Sequence, residues 1–288
     1  MKLARFWTRQ PGEAPGPDGR RIRVVARGWS DESPEMAARL ARDVANRLAQ
    51  KLASGDRNKQ QYLYGERPLP EPILHEFAGA SAPRALITRN SYGALVMNAQ
   101  DLMFIDIDRQ EQTGDSGSDL ISGLKSLFGA RSAPPAPATN PLMDSIQRVA
   151  DAHGLAARVY KTAAGYRVAI TNAGFQADSA QTEALLREFG ADPLYIRLCR
   201  LQQSFRARLT PKPWRCGAAQ PPVTFPYEGP REEAEMREWE SQYAAAAANY
   251  ATCRYLTSFG GVRIAPEFED LIYSHDQETK ASTQLPLA

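Results

Sequence analysis

Two aspartates stand out as residues that could do chemistry. The segment LMFIDID, residues 102–108, runs four apolar residues into Asp106 and Asp108. In a β-strand, side chains two residues apart leave the same face. Both carboxylates therefore project together from one strand end, while Ile107 turns to the other face. Adjacent carboxylates repel, and a hard divalent cation relieves the repulsion. Acids at strand ends hold Mg²⁺ or Mn²⁺ against substrate phosphates in many enzymes. Asp106 and Asp108 are thus the expected metal ligands and catalytic residues. The competing reading is a pair of solvated acids at a strand exit.

Two further groups could bind phosphate. In YKTAAGYRV, residues 160–168, two strands meet at an Ala-Ala-Gly turn flanked by Lys161, Thr162 and Arg167. Beside the aspartate strand, the two cations and the hydroxyl could meet phosphate oxygens; otherwise they are ordinary surface groups. The run 193–215 carries Arg197, Arg200, Arg206, Arg208, Lys212 and Arg215 with no acidic residue, and Tyr195, Phe205 and Trp214 are interleaved. Such a stripe attracts phosphate backbones, and its rings offer stacking faces for bases. Pro211 and Pro213 keep Lys212 and Trp214 on an extended piece. Against this, the arginines could pair with the acidic helix around 231–240.

The elements that must position these groups follow from periodicity. A Pro/Gly-rich loop at 10–20 precedes a strand, RIRVVARGW. A helix follows, with Met36, Leu40, Val44, Leu48 and Leu52 as its expected buried face. PILHEFAG reads as a short helix, and ALITRN, YGALVMN and LMFIDID as a meander of strands. Residues 109–139 are polar and Pro/Ser/Gly-rich, a long mobile loop. Within it Leu120, Ile121, Leu124, Leu127 and Phe128 fall at helical spacing, so 120–128 is also a candidate docking helix for a protein partner. A helix over 141–153, a hairpin and a helix over 182–189 then give β-α-β-β-α. The run from Pro193 looks helical, so the closing strand of a split βαβ unit is left open. REEAEMREWESQYAAAAANYATCRYL reads as a helix presenting Met236, Trp239, Tyr243, Ala247 and Tyr250, and the C-terminal end as disordered. The expected class is α+β, a ferredoxin/RRM-like palm core with added N-terminal and C-terminal helical elements. The divisions are 1–84, 85–215 and 216–288.

Composition narrows the function. The chain has 288 residues, 35 Lys and Arg against 33 Asp and Glu, and a net charge of +2, so only the distribution of charge speaks of nucleic acid. Its three cysteines, Cys199, Cys216 and Cys253, form no CxxC, and its three histidines, His75, His153 and His275, are scattered. That argues against a disulfide framework and a zinc site. The chain has no signal-peptide core and no apolar run of membrane-spanning length, so the expectation is a cytoplasmic protein without a membrane partner. Walker-type phosphate loops, GxSxG and HExxH are absent.

The apolar strand ending in Asp-Ile-Asp, followed by helix, hairpin and helix, resembles the palm of the archaeo-eukaryotic primase superfamily over about residues 100–192. The resemblance implies Mg²⁺ or Mn²⁺ on Asp106 and Asp108 and nucleotidyl transfer from a nucleoside triphosphate. The family's histidine motif has no histidine in the matching hairpin, Thr162 to Arg167, and Asp192 is the candidate for its third acid. ITRNSYGALVMN and SFRARLTPKPWRCG also resemble bacterial proteins without an assigned function. Two functions are therefore expected. One is metal-dependent processing of a nucleotide or nucleic acid, of nucleotidyltransferase type. The other is a non-catalytic module that keeps the fold and binds nucleic acid or a protein.

Overall fold

The computed structural model describes residues 1–16, 19–54, 67–108, 140–261 and 263–288. The expected loop 109–139 and docking helix 120–128 lie outside them.

The chain opens with a hairpin of β1 (Phe6–Pro15) and β2 (Arg21–Ser30), covered by α1 (Pro34–Ala53). The strand thus starts well before the expected loop ends. Ser33 caps α1, its hydroxyl accepting from the Met36 amide. The buried face of α1 is not the leucine stripe. It is Ala37, Ala41, Ala45 and Ala49, all fully buried, whereas Leu40, Leu48 and Leu52 are exposed. The reason is close approach. A Cβ at Gly12 or Gly28 would stand 2.4 Å from α1 backbone atoms, so only small residues fit the seam.

Two four-stranded antiparallel sheets follow. In one, β3 (Ile73–Phe77), β4 (Ala85–Arg89), β5 (Leu95–Ala99) and β9 (Phe205–Arg208) lie in that order. The segment expected as a short helix is thus strand β3. The other sheet has the order β10 (Cys253–Phe259), β7 (Ala157–Thr162), β8 (Gly165–Ile170), β6 (Phe104–Asp108). The expected meander is therefore divided: β4 and β5 form a hairpin, while β6 belongs to the other sheet.

α2 (Pro141–Ala152) links β6 to β7, and α3 (Ala180–Glu188) and α4 (Pro193–Gln202) follow β8. The molecule is α+β. β6, β8 and β7 have the strand order of a split βαβ unit. In the ferredoxin-like arrangement a last strand would lie beside β6; here β10 lies beside β7. One core joins the sheets, with Met97 and Phe205 from one, Phe104, Val168 and Ile170 from the other, and Ile146, Leu186, Ile196 and Leu271 from helices.

α5 (Pro230–Ala247) buries the expected Met236, Trp239, Tyr243 and Ala247 in a smaller cluster with Cys216. The chain then leaves the helix for β10, where the sequence suggested the helix would continue. α6 (Glu269–Thr279) packs into the main core through Leu271 and Ile272. The end of the chain is tied down, with Ala288 donating its amide to the Ala251 carbonyl at 3.0 Å.

Candidate functional site

A cleft of about 760 Å³ opens between the end of β6, one face of α4 and the chain around β9. Period-two alternation puts Asp106 and Asp108 on its wall, as the sequence predicts. Asp192 joins them because its amide donates to the Asp106 carbonyl at 3.1 Å, fixing the start of α4 against the edge of β6. Its own carboxylate caps α4, accepting from the Leu194 and Tyr195 amides at 2.6 and 3.1 Å.

The acids are not equivalent. Asp106 sits opposite Arg167 across the β6–β8 ladder. Arg167 Nε donates to Asp106 Oδ1 at 2.8 Å and Nη2 to Oδ2 at 3.4 Å. The Arg167 side chain is 2 % exposed. Burial opposes its charge, but Asp106, together with Cys253 and Tyr195, outweighs burial and lifts its pKa above the ordinary arginine value. Arg167 thus neutralises Asp106 while itself lining the cleft. Asp108 has no ion pair among the described residues. Burial, then Asp192 and Asp106, push its carboxyl above the usual carboxylate range.

The same cleft carries cations. Arg208, Lys212 and Arg215 line the cleft. Burial and then Arg167 hold Arg208 below the ordinary arginine value. Lys212 is lowered by burial, then by Arg208 and Arg215, with Asp108 acting in the other sense. Among the described residues these three cations make no salt bridge with an acid, and the acidic helix α5 does not reach them. Lys212 Nζ lies 5.6 Å from the Trp214 ring centre, and Tyr92 meets Trp214 edge-on at 5.5 Å. Trp214 is half exposed.

The remaining expected residues separate. Arg197 lines the cleft from α4. Arg200 is exposed and reaches Glu183 at 3.5 Å. Thr162 lines the cleft, and its hydroxyl accepts from the Gly165 amide at 3.0 Å to close the β7–β8 turn. Lys161 is paired in register with Tyr166, on the sheet face opposite Arg167, and its ammonium lies 4.3 Å from the Tyr166 ring centre. Arg206 is taken into a buried network. It donates to both Glu71 oxygens at 2.8 and 3.1 Å and to Asn98, while the Thr88 hydroxyl donates to Glu71 and Asn98 donates to Thr88.

Of the two acids expected to clamp a metal, Asp106 is engaged by Arg167 through both oxygens, whereas Asp108 is in no salt bridge among the described residues. Among the described residues no three His, Cys, Asp or Glu side chains are grouped to hold a metal ion. Sequence reasoning missed Tyr92 and His275. It held Asp192 only loosely, although Asp-Pro before an apolar run is a helix-capping signal. No helix among the described residues is long and apolar enough to cross a membrane. No protein-family model matches the chain, and neither a curated protein nor a solved structure matches it.

Proposed function

We propose that the cleft binds a phosphate-bearing ligand of nucleotide size, as a binding module rather than as a catalyst. One observation carries the reading. Arg208, Lys212 and Arg215 line the cleft together, Lys212 being lowered by burial and then by Arg208 and Arg215, with no acid salt-bridged to the three among the described residues. A bound phosphate would relieve that repulsion with charge-assisted hydrogen bonds. Trp214, beside Lys212, offers a stacking face for a base. The volume accommodates one nucleotide.

A second reading, metal-dependent processing, draws on the raised Asp108 carboxyl, whose repulsion from Asp192 and Asp106 a divalent cation would relieve. Asp108 and the second oxygen of Asp192 would hold the ion. It would supply neutralisation of charge on a phosphoryl oxygen.

Calorimetric titration with ATP, with and without Mn²⁺, separates the two. The binding-module reading expects saturable binding without metal, weakened roughly tenfold, ~1.4 kcal/mol, by Lys212→Ala/Arg215→Ala. It also expects Asp108→Asn to bind more tightly, because a negative charge beside the phosphate is removed. The metal-dependent reading expects binding to require Mn²⁺ and to disappear in Asp108→Asn. Absence of ATP binding under both conditions would rule out both readings.

A further inference from the structure

Behind Asp106 lies a buried polar chain that none of the cleft chemistry uses. Arg167 Nη1 carries two protons. One goes to the Arg208 carbonyl at 2.8 Å, and the other points at His275 Nε2 at 3.4 Å. His275 is fully buried on α6, stacked on Phe104 at 5.1 Å and met edge-on by Tyr160 at 4.9 Å. Its Nδ1 is 2.9 Å from Asp276 Oδ1, and Asp276 Oδ2 accepts from Arg158 at 2.7 Å. The charged and titratable groups facing the ring are therefore Arg167 from β8, Cys253 from β10, Tyr160 from β7 and Asp276 from α6 itself.

The donors fix the tautomer. A guanidinium has no acceptor, so the contact to Arg167 requires a lone pair on Nε2 and places the ring proton on Nδ1, toward Asp276. A second proton on Nε2 would face a permanent cation. It is accommodated only if the imidazolium turns Nε2–H toward the Cys253 thiol and gives up Arg167.

We propose that His275 is a positioning residue of the cleft: as a neutral ring it anchors Arg167, and through Arg167 it holds Asp106 neutralised and the β9 backbone at Arg208 in place. Protonation of His275 releases Arg167 and uncovers the Asp106 carboxylate beside the phosphate site. Ligand affinity should therefore fall as pH falls. Burial disfavours the imidazolium, but Asp276 and Cys253 outweigh burial and Arg167, so the ring titrates above the ordinary histidine value. The anchored state is present above that pKa and lost below it. The effect on affinity rests on the reading of the cleft as a phosphate site; the anchoring of Arg167 does not.

The test uses two readouts on the full chain. The first is the Arg167 Nε–H resonance in ligand-free protein, assigned by its loss in Arg167→Lys and followed from about pH 8 to about pH 5.5, across the histidine range. It should move in one step in the wild type and stay still in His275→Gln, whose amide oxygen accepts from Arg167 but does not titrate. The second is ATP affinity. It should weaken about fivefold over the same interval in the wild type, stay constant in His275→Gln, and be weak at every pH in His275→Phe, which keeps a ring but no acceptor. A wild-type resonance that does not move, or one that moves equally in His275→Gln, overturns the proposal. So does a folded His275→Phe that binds ATP as tightly as the wild type. Failure of ATP to bind at any pH would sink only the phosphate reading, and the resonance would still decide the role of His275.

Discussion

Arg206 and Arg208 are two residues apart on one strand, yet they meet opposite fates. Arg206 is enclosed by Glu71, Asn98 and Thr88, and its charge is matched. Arg208 makes no salt bridge with an acid among the described residues, and burial, then Arg167 and more weakly Arg215, oppose its charge. The first arrangement belongs to folding, because both terminal nitrogens of the guanidinium have partners within the fold. The second would serve as a site, its electrostatics to be completed by an anion from outside. A basic stripe is therefore a functional feature only where the fold leaves it unmatched.

The sharpest way to break this comparison is to truncate each arginine in turn. Arg206→Ala strands the buried Glu71 carboxylate and should cost ~3–5 kcal/mol in urea unfolding. Arg208→Ala strands no acid and removes only a packed stem, so about 1 kcal/mol is expected. Equal losses would mean that both arginines are structural. The double replacement Glu71→Leu/Arg206→Met should return to within roughly 1–2 kcal/mol of wild type, since apolar substitution of a whole buried pair removes its desolvation cost. If the double variant remains as unstable as Arg206→Ala, the pair is doing more than neutralising itself.

The same contrast explains what the sequence could and could not reveal. The period of two placed Asp106 and Asp108 on one face at a strand end, and the period near 3.6 picked out the buried face of α5. Both are local rules, and both were legible. The partner of Asp106 was not, because Arg167 reaches it through a register set 61 residues away. Nothing local separates Arg206 from Arg208 either: Glu71, the residue that does, is 135 residues distant. α1 misled for another reason. Hydrophobicity ranks leucine above alanine, but the glycines of the facing hairpin left room only for alanine. His275 looked isolated because its neighbours come from four different strands and its own helix.

A smaller effect sharpens the comparison from the acids of the cleft. The carboxyl of Asp108 is raised in the folded state, so the fold holds its proton more tightly than the unfolded chain does. Stability should be unaffected by this group at pH values below the unfolded carboxylate range. It should decline as pH rises from there through the raised pKa. In Asp108→Asn that decline should disappear, leaving the variant more stable at neutral pH by no more than about 0.5 kcal/mol, because solvent screens an exposed carboxylate. Denaturation at a series of pH values between about 3 and 7 reads it, since this interval spans ordinary carboxylate titration. An Asp108→Asn curve parallel to wild type would show that Asp108 is as well solvated as any surface acid.

The smallest expected effect bears most directly on whether the cations of the cleft await an anion. Lys212 is lowered by burial and by its cationic neighbours, so its charge works against the fold at neutral pH. Lys212→Met keeps the apolar stem and removes the charge. It should gain a few tenths of a kcal/mol, because solvent screens a partly exposed group. The gain must shrink as pH rises toward the unfolded lysine pKa, where the wild type loses the same charge in both states. It must also shrink, or reverse, when inorganic phosphate is added, because the anion turns the repulsion into attraction only in the wild type. Thermal unfolding with and without phosphate at constant ionic strength isolates this last term. A stability difference indifferent to phosphate would place Lys212 among ordinary surface cations, and Arg208 would then stand beside Arg206 as part of the scaffold.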